Sequence, residues 1–223
     1  MAAKLIVLGR QGAGKGTQCT RLAQSLGVPH VSTGDLFRAE IKSGSALGRE
    51  LDSYVSSGAL VPDEVVLDVL ASRLGDRTAR ARGYLLDGFP RTLAQGQALF
   101  EVLGADAADL AVEIDVPRAV VEERLLARRI CGDCGTITAV VDGAPASPCD
   151  DCGGELVRRD DDTPEAIARR LDLYDEQALP LLTWLDSQGI LASVDGRGRP
   201  DDVHDRLVAA VADRLPHLRV RAG

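Results

Sequence analysis

The apolar positions of this chain fall into short unbroken runs, separated by longer stretches in which they recur every three or four residues. Leu5-Ile6-Val7-Leu8 stops at Gly9, Tyr84-Leu85-Leu86 stops at Asp87, and Leu110 to Val116, Ile190 to Val194 and a shorter His30-Val31 complete the set. Runs without alternation are strands buried on both faces, and helices between them make one parallel sheet covered on either side. The clearest helix opens at Thr163, an N-cap followed by Pro164 in the first helical position. Ile167, Leu171, Tyr174, Ala178, Leu181 and Leu185 line one face of it, and Pro180 is expected to kink it.

Two stretches break the alternation. Residues 32–61 read as two short helices joined near Ser43-Gly44-Ser45 with no strand between them. Residues 130–162 are rich in Gly, Asp, Cys and Pro and have no helical period. Both read as insertions at strand ends, where ligands bind in open α/β sheets. The expected organisation is a core of 1–31, 62–124 and 163–223, with insertions at 32–61 and 125–162.

Composition narrows the picture. With 223 residues and 45% hydrophobic content the chain can bury a core without disulfides, and with 3% aromatics that core is built from Leu, Val, Ala and Ile. A net charge of −8 argues against a broad nucleic-acid or anionic-membrane surface but leaves room for a local basic cleft. The opening Met1 to Gly9 is too short for a signal peptide, and no run approaches the roughly 20 apolar residues of a membrane span, so a cytoplasmic chain is expected. Of five cysteines, four form the pairs Cys131/Cys134 and Cys149/Cys152, while Cys19 stands alone as a small buried thiol. In a reducing compartment that pairing points to metal rather than disulfides.

The first strand runs into Gly9-Arg-Gln-Gly12-Ala13-Gly14-Lys15-Gly16-Thr17, which opens a helix. Glycines let backbone N–H groups turn inward around a phosphate, and the helix N-terminus adds its positive end. Lys15 supplies a point charge for β- and γ-phosphates, and Thr17 can organise the shell of Mg²⁺. A second buried strand ends in Asp87-Gly88-Phe89-Pro90-Arg91-Thr92, where the Asp can hold a magnesium-bound water and the Arg can fork onto phosphate. Ser32-Thr33-Gly34-Asp35-Leu36-Phe37-Arg38 is a further polar turn after the weak second strand.

These three motifs, in this order and spacing, resemble the adenylate kinase family nearly end to end, and Gly16-Thr17 in particular resembles the nucleoside monophosphate kinases. The resemblance implies a P-loop fold with a five-stranded parallel sheet, a small helical AMP-binding insertion and a zinc-ribbon lid. It implies ATP, AMP and ADP as substrates, with magnesium travelling with ATP. Thr33, Arg38, Ala59, Leu60, Val61, Gly88, Phe89, Pro90, Arg91 and Gln95 match the residues that hold AMP, Arg38 and Arg91 on its phosphate and Thr33 and Gln95 on its adenine. Relatives that accept UMP or CMP usually carry Ala in place of Thr33. Arg124, Arg128, Arg159 and Arg170 match the arginines that clamp the phosphates when the lid closes, with Arg159 and Arg170 also reaching AMP and Arg128 lying against the ATP base. Gly12 to Thr17, Ile137, Thr138 and Gly198 match ATP contacts. The expected catalytic set is therefore Lys15, Asp87, Arg91, Arg124, Arg128, Arg159 and Arg170.

Spacing says something independent about two of those arginines. Arg124 and Arg128 are four apart after Pro117, which puts them on one face of a helix with no acid three or four positions away. A shared polyanion would offset their repulsion. His30, His204 and His217 lie outside every motif and are read as structural or solvated, with no general base needed because a phosphate acceptor is already anionic.

Cys131-Gly-Asp-Cys134 and Cys149-Asp-Asp-Cys152, 14 residues apart, suit a closed tetrahedral Zn²⁺ site. Residues 125–162 carry four arginines against eight acids, and a Cys₄ zinc adds further negative charge, so the ribbon would repel a nucleic-acid backbone. It is read as structural, zinc replacing a core that so short an insert cannot build. The chain departs from the family at Thr138-Ala139, where an aromatic and His are common, and at Arg10-Gln11, where a small residue and Pro are usual. A monomer without membrane or nucleic-acid partners is expected. The rivals are a monophosphate kinase for UMP or CMP and a non-enzymatic P-loop switch.

Overall fold

A computed structural model describes residues 3–66, 81–104, 107–140 and 147–218. Of the tail 215–223, for which the sequence gives no reading, residues 219–223 lie outside that description. In chain order the elements begin β1 (Lys4–Leu8), α1 (Lys15–Leu26), β2 (His30–Ser32), α2 (Thr33–Ser43) and α3 (Ala46–Ser57). They continue with β3 (Tyr84–Asp87), α4 (Leu93–Leu103), β4 (Leu110–Asp115) and α5 (Arg118–Ala127). The insert contributes β5 (Arg128–Cys131), β6 (Ile137–Ala139) and β7 (Leu156–Val157), and α6 (Pro164–Ser187), β8 (Leu191–Asp195) and α7 (Pro200–Arg214) close the set.

The main sheet has five strands in the order β2-β3-β1-β4-β8, every pairing parallel. β1 alternates strictly between two cores. Leu5 and Val7 face Cys19 and Leu22 of α1 and Val203, Leu207 and Val211 of α7. Ile6 and Leu8 face Phe37, Leu99, Leu181 and Leu185 on α2, α4 and α6. Both sides of the strand are therefore dry, which is why the sequence shows runs there and not alternation. Helices on both faces give the expected three layers, and all strands present their carboxyl ends to the same edge.

Helix boundaries follow local chemistry. Ser32, Ser45, Thr92 and Thr163 each accept a hydrogen bond from the backbone N–H three residues on, capping α2, α3, α4 and α6. The two short helices meet at Ser43-Gly44-Ser45, Gly44 taking the left-handed conformation that ends α2. α6 continues through Pro180 to Ser187, since its apolar face is buried on both sides of that residue. Its first half (Ile167, Leu171) joins one core and its second half (Leu181, Leu185) the other.

One expectation is corrected. Arg124 and Arg128 do not share a helix face, because α5 ends at Ala127 and Arg128 turns extended (φ −64°, ψ 136°) to begin β5. Pairing wins over helical continuation: Arg128 and Arg129 lie opposite Ala139 and Thr138, and the Val140 N–H donates to the Ala127 carbonyl at 2.8 Å. β6, β5 and β7 form a small antiparallel sheet.

Replacing Thr163 with Ala removes the acceptor that the Ala166 N–H meets at 3.1 Å and should cost about 1 kcal/mol. The expected reading is a lower urea midpoint at unchanged slope, and an unchanged midpoint would show that the cap is idle.

Candidate active site

The phosphate loop is shaped by positions where a side chain has no room. Gly12 has φ +83°, and a Cβ there would lie 2.8 Å from the Val121 carbonyl oxygen. Gly14, left-handed at φ 93°, starts α1 without a side-chain cap, so the helix N-terminus is open to an anion. Lys15 Nζ folds back onto the Gly9 and Arg10 carbonyls at 2.6 and 2.9 Å. Enclosure by the cleft walls lowers its pKa, an effect that Asp87 opposes and Arg91 reinforces.

The opposite side is built on the end of β3. Thr33 Oγ1 donates to the Asp87 carbonyl at 3.3 Å, and Arg91 Nε donates to the Gly88 carbonyl at 2.7 Å. Gln95 accepts from the Arg91 N–H at 2.8 Å and donates through Nε2 to Asp63 at 2.6 Å. Arg38 pairs with Asp35 at 2.5 Å. Enclosure and then the nearby Arg170 lower the Arg91 guanidinium.

Carboxylates of the insert hold two cations, Arg128 within it and Arg170 on α6. Arg128 Nε and Nη2 donate to the two oxygens of Asp162 at 2.8 and 2.5 Å, and that carboxylate is wholly buried. Arg170 donates to the Asp161 carboxylate at 2.8 Å, to the Asp161 carbonyl at 2.9 Å and to the Val55 carbonyl at 2.6 Å. Arg159 differs, for its buried Nε has no acceptor. Burial, with Arg38 and Arg128 close by, brings its pKa down to about 10. Guanidiniums that are desolvated and crowded by one another define a place that favours an anion.

These parts line one cleft of about 1110 Å³. It gathers the phosphate loop from Gly12 to Thr17, the turn bearing Thr33 and Arg38, the segment Ala59, Leu60 and Val61, and Asp87 to Arg91 with Gln95. Arg124, Arg128, Ile137, Thr138, Arg159, Arg170 and Gly198 enclose it from the other side. Arg124 Nη1 and Nη2 lie 3.4 and 3.3 Å from the Gly196 carbonyl, beside the loop that carries Gly198.

Sequence reading missed several contributors. His30, read as lying outside every motif, puts Nε2 3.4 Å from Asp87 Oδ2 because β2 and β3 run side by side. Asp161 and Asp162 carried no assigned role. The signal that could have found them is a pair of acids just before a helix cap and after a chain segment rich in arginine. Asp63 and Val55 had no local signal. Cys19 is fully buried, and burial raises its thiol pKa well above the ordinary value.

In the insert, Cys131 and Cys152 sulfurs lie 3.4 Å apart and those of Cys134 and Cys149 3.6 Å, all four mutually within 4.8 Å. These are not disulfide distances. A tetrahedron of thiolates about 2.3 Å from a zinc ion spaces its sulfurs by about 3.8 Å, so the set fits. The Thr136 hydroxyl and N–H favour a thiolate at Cys134, lowering its pKa to about 6. Thr17 and Asp87 offer hard oxygen donors on the cleft wall, the type that magnesium takes. No helix among the described residues is long and apolar enough to cross a membrane.

A model of the family described as adenylate kinase matches residues 7–190. An adenylate kinase of Bacillus subtilis is 45% identical over 219 residues, covering 96% of this chain and 99% of the relative. One from Moorella thermoacetica is 46% identical over 197 residues, 86% of this chain and 90% of the relative. One from Agathobacter rectalis is 42% identical over 214 residues, 94% of this chain and the whole of the relative.

Asp162→Ala leaves the half-buried Arg128 without its carboxylate and should lower stability by about 3 kcal/mol. Asp160→Ala, at an exposed neighbouring position, serves as the control. Equal urea midpoints for the two variants would show that the pair does not hold the insert to the core.

Proposed function

The chain belongs to the adenylate kinase family, and on that premise we propose how its cleft divides the labour of phosphoryl transfer. The reaction is reversible: ATP and AMP give two ADP. The observation that supports the assignment of parts is one cleft lined by Lys15 and the open end of α1, by Arg38 and Arg91 opposite, and by Arg128, Arg159 and Arg170 between.

ATP lies with its β- and γ-phosphates on the backbone of Gly12 to Thr17, and Lys15 swings from its own loop's carbonyls onto them. Its base fits by the loop at Gly198, beside Arg124, which reaches the Gly196 carbonyl, and against Arg128 as the resemblance implies. AMP lies against Ala59, Leu60, Val61, Phe89 and Pro90, its phosphate on Arg38 and Arg91 and its adenine toward Thr33 and Gln95. An AMP phosphate oxygen attacks the γ-phosphorus in line. That P–O bond forms as the bond to the β-phosphate oxygen breaks, and no general base is needed. Arg128, Arg159 and Arg170 neutralise the migrating group. Thr17 and Asp87 would hold magnesium, which when bound neutralises charge on the β- and γ-phosphates.

Segments 32–61 and 125–162 act as flaps on a core of 1–31, 62–124 and 163–223. Their closure excludes water, which would otherwise take the phosphoryl group. Cys131, Cys134, Cys149 and Cys152 hold a structural zinc that knits the second flap. Paired thiols kept for a metal support a cytoplasmic setting. A cleft formed by one chain supports a monomer.

Mixed with Mg²⁺ and ADP alone, the protein should form ATP and AMP in equal amounts, and Arg91→Ala should lower the rate by about 10³-fold. Unchanged ADP, or faster transfer to UMP or CMP than to AMP, would overturn the reading. Elemental analysis should find about one zinc per chain. Stripping it with a chelator should lower the thermal midpoint, and Cys149→Ser should mimic the stripped protein. A metal-free sample that melts at the same temperature as the native one would remove zinc from the account.

A further inference from the structure

The two loop residues that depart from the family pattern, Arg10 and Gln11, both reach across to α6. Arg10 donates to Asp175 at 2.9 Å and to the Val116 carbonyl at 3.1 Å, and its guanidinium lies 5.2 Å from the centre of the Tyr174 ring. The Gln11 amide oxygen, turned toward two guanidiniums, accepts from Arg170 Nη1 at 2.9 Å and from Arg128 Nη2 at 3.3 Å. Guanidiniums only donate, so the oxygen end is the one that bonds there. The remaining acceptors on these arginines are Asp161, Asp162 and the Val55 carbonyl, all on the two flaps. Among the described residues, Gln11 is the acceptor that the phosphate loop offers them.

We propose that Gln11 is a positioning residue: its amide oxygen holds Arg170 and Arg128 over the phosphate loop before nucleotide arrives, standing in for a phosphate oxygen. The inference rests on reading those arginines as phosphate-gripping groups. A neutral amide is the weaker acceptor, so an arriving phosphate takes the same N–H groups from it. A proline at this position has no side-chain acceptor, and a carboxylate would hold both arginines against the substrate.

The test is ADP disproportionation with Mg²⁺ by the full chain, and wild-type turnover establishes the underlying reading separately. Gln11→Ala and Gln11→Pro should each lower kcat by about three- to tenfold, the loss of one hydrogen bond to charged partners. Their thermal midpoints should stay within about 1 °C of wild type, short of the roughly 2–4 °C that a kcal/mol of lost stability shifts in a chain of this size. Gln11→Glu should instead raise KM for ADP by about tenfold. In an Arg170→Lys background, Gln11→Ala should cost less than about twofold, because the partner it positions is already altered. Wild-type kcat in both Ala and Pro variants would overturn the proposal. So would an equal loss from Gln11→Ala with Arg170 present or replaced, or a Glu variant with unchanged KM. Should Gln11→Pro not fold, the Ala variant carries the test alone.

Discussion

Two adjacent buried carboxylates, Asp161 and Asp162, hold the guanidiniums of Arg170 and Arg128, and the arrangement of the cleft depends on that pairing. Without them several cations would face one another in a poorly solvated space. With them, two arginines from different segments are fixed at the junction of insert, α6 and phosphate loop, and the Thr163 cap follows directly in the chain. A buried pair adds little net stability over apolar packing, but breaking it costs a great deal. Its value here is placement. Arg159 beside them, whose buried Nε has no acceptor among the described residues, is left with its charge poorly compensated, and the site as a whole favours an incoming polyanion.

The sheet supplies the geometry. Parallel strands bring Gly9, Ser32, Asp87 and Asp195 to one edge, since each residue closes or follows a strand at its carboxyl end. Loops at that edge need no further instruction to converge. The insert solves a different problem, holding a short polar segment in shape through four sulfurs; among its described residues after Leu125, Cys131 and Cys149 are the only buried apolar side chains.

Features legible in the sequence are those whose partners are close in the chain. The glycine spacing of the phosphate loop, the Thr163-Pro164 start, the Gly44 stop and the cysteine pairs each carry their own local geometry. The order of motifs then pointed to the whole fold. What the sequence hid is non-local: His30 meets Asp87 57 residues away, and Arg10 meets Asp175 across 165. Such contacts come from strand neighbours and helix packing, which no local pattern encodes. Arg128 was misread for a related reason. The helical period was extended one residue past the point where pairing with Ala139 takes over.

α6 has 24 residues, hence a length of about 36 Å. Leu181 and Leu185 sit near one end and Arg170 toward the other. A tilt of about 2° pivoting on the far end would carry the first turn by about 1 Å, a misplacement that can cost a phosphoryl-transfer enzyme about a hundredfold in rate. The helix is thus a lever arm whose angular stiffness matters as much as any contact at its tip. Its anchorage in both cores, with Arg10 tying down its middle at Asp175, is what rigidity of that order demands.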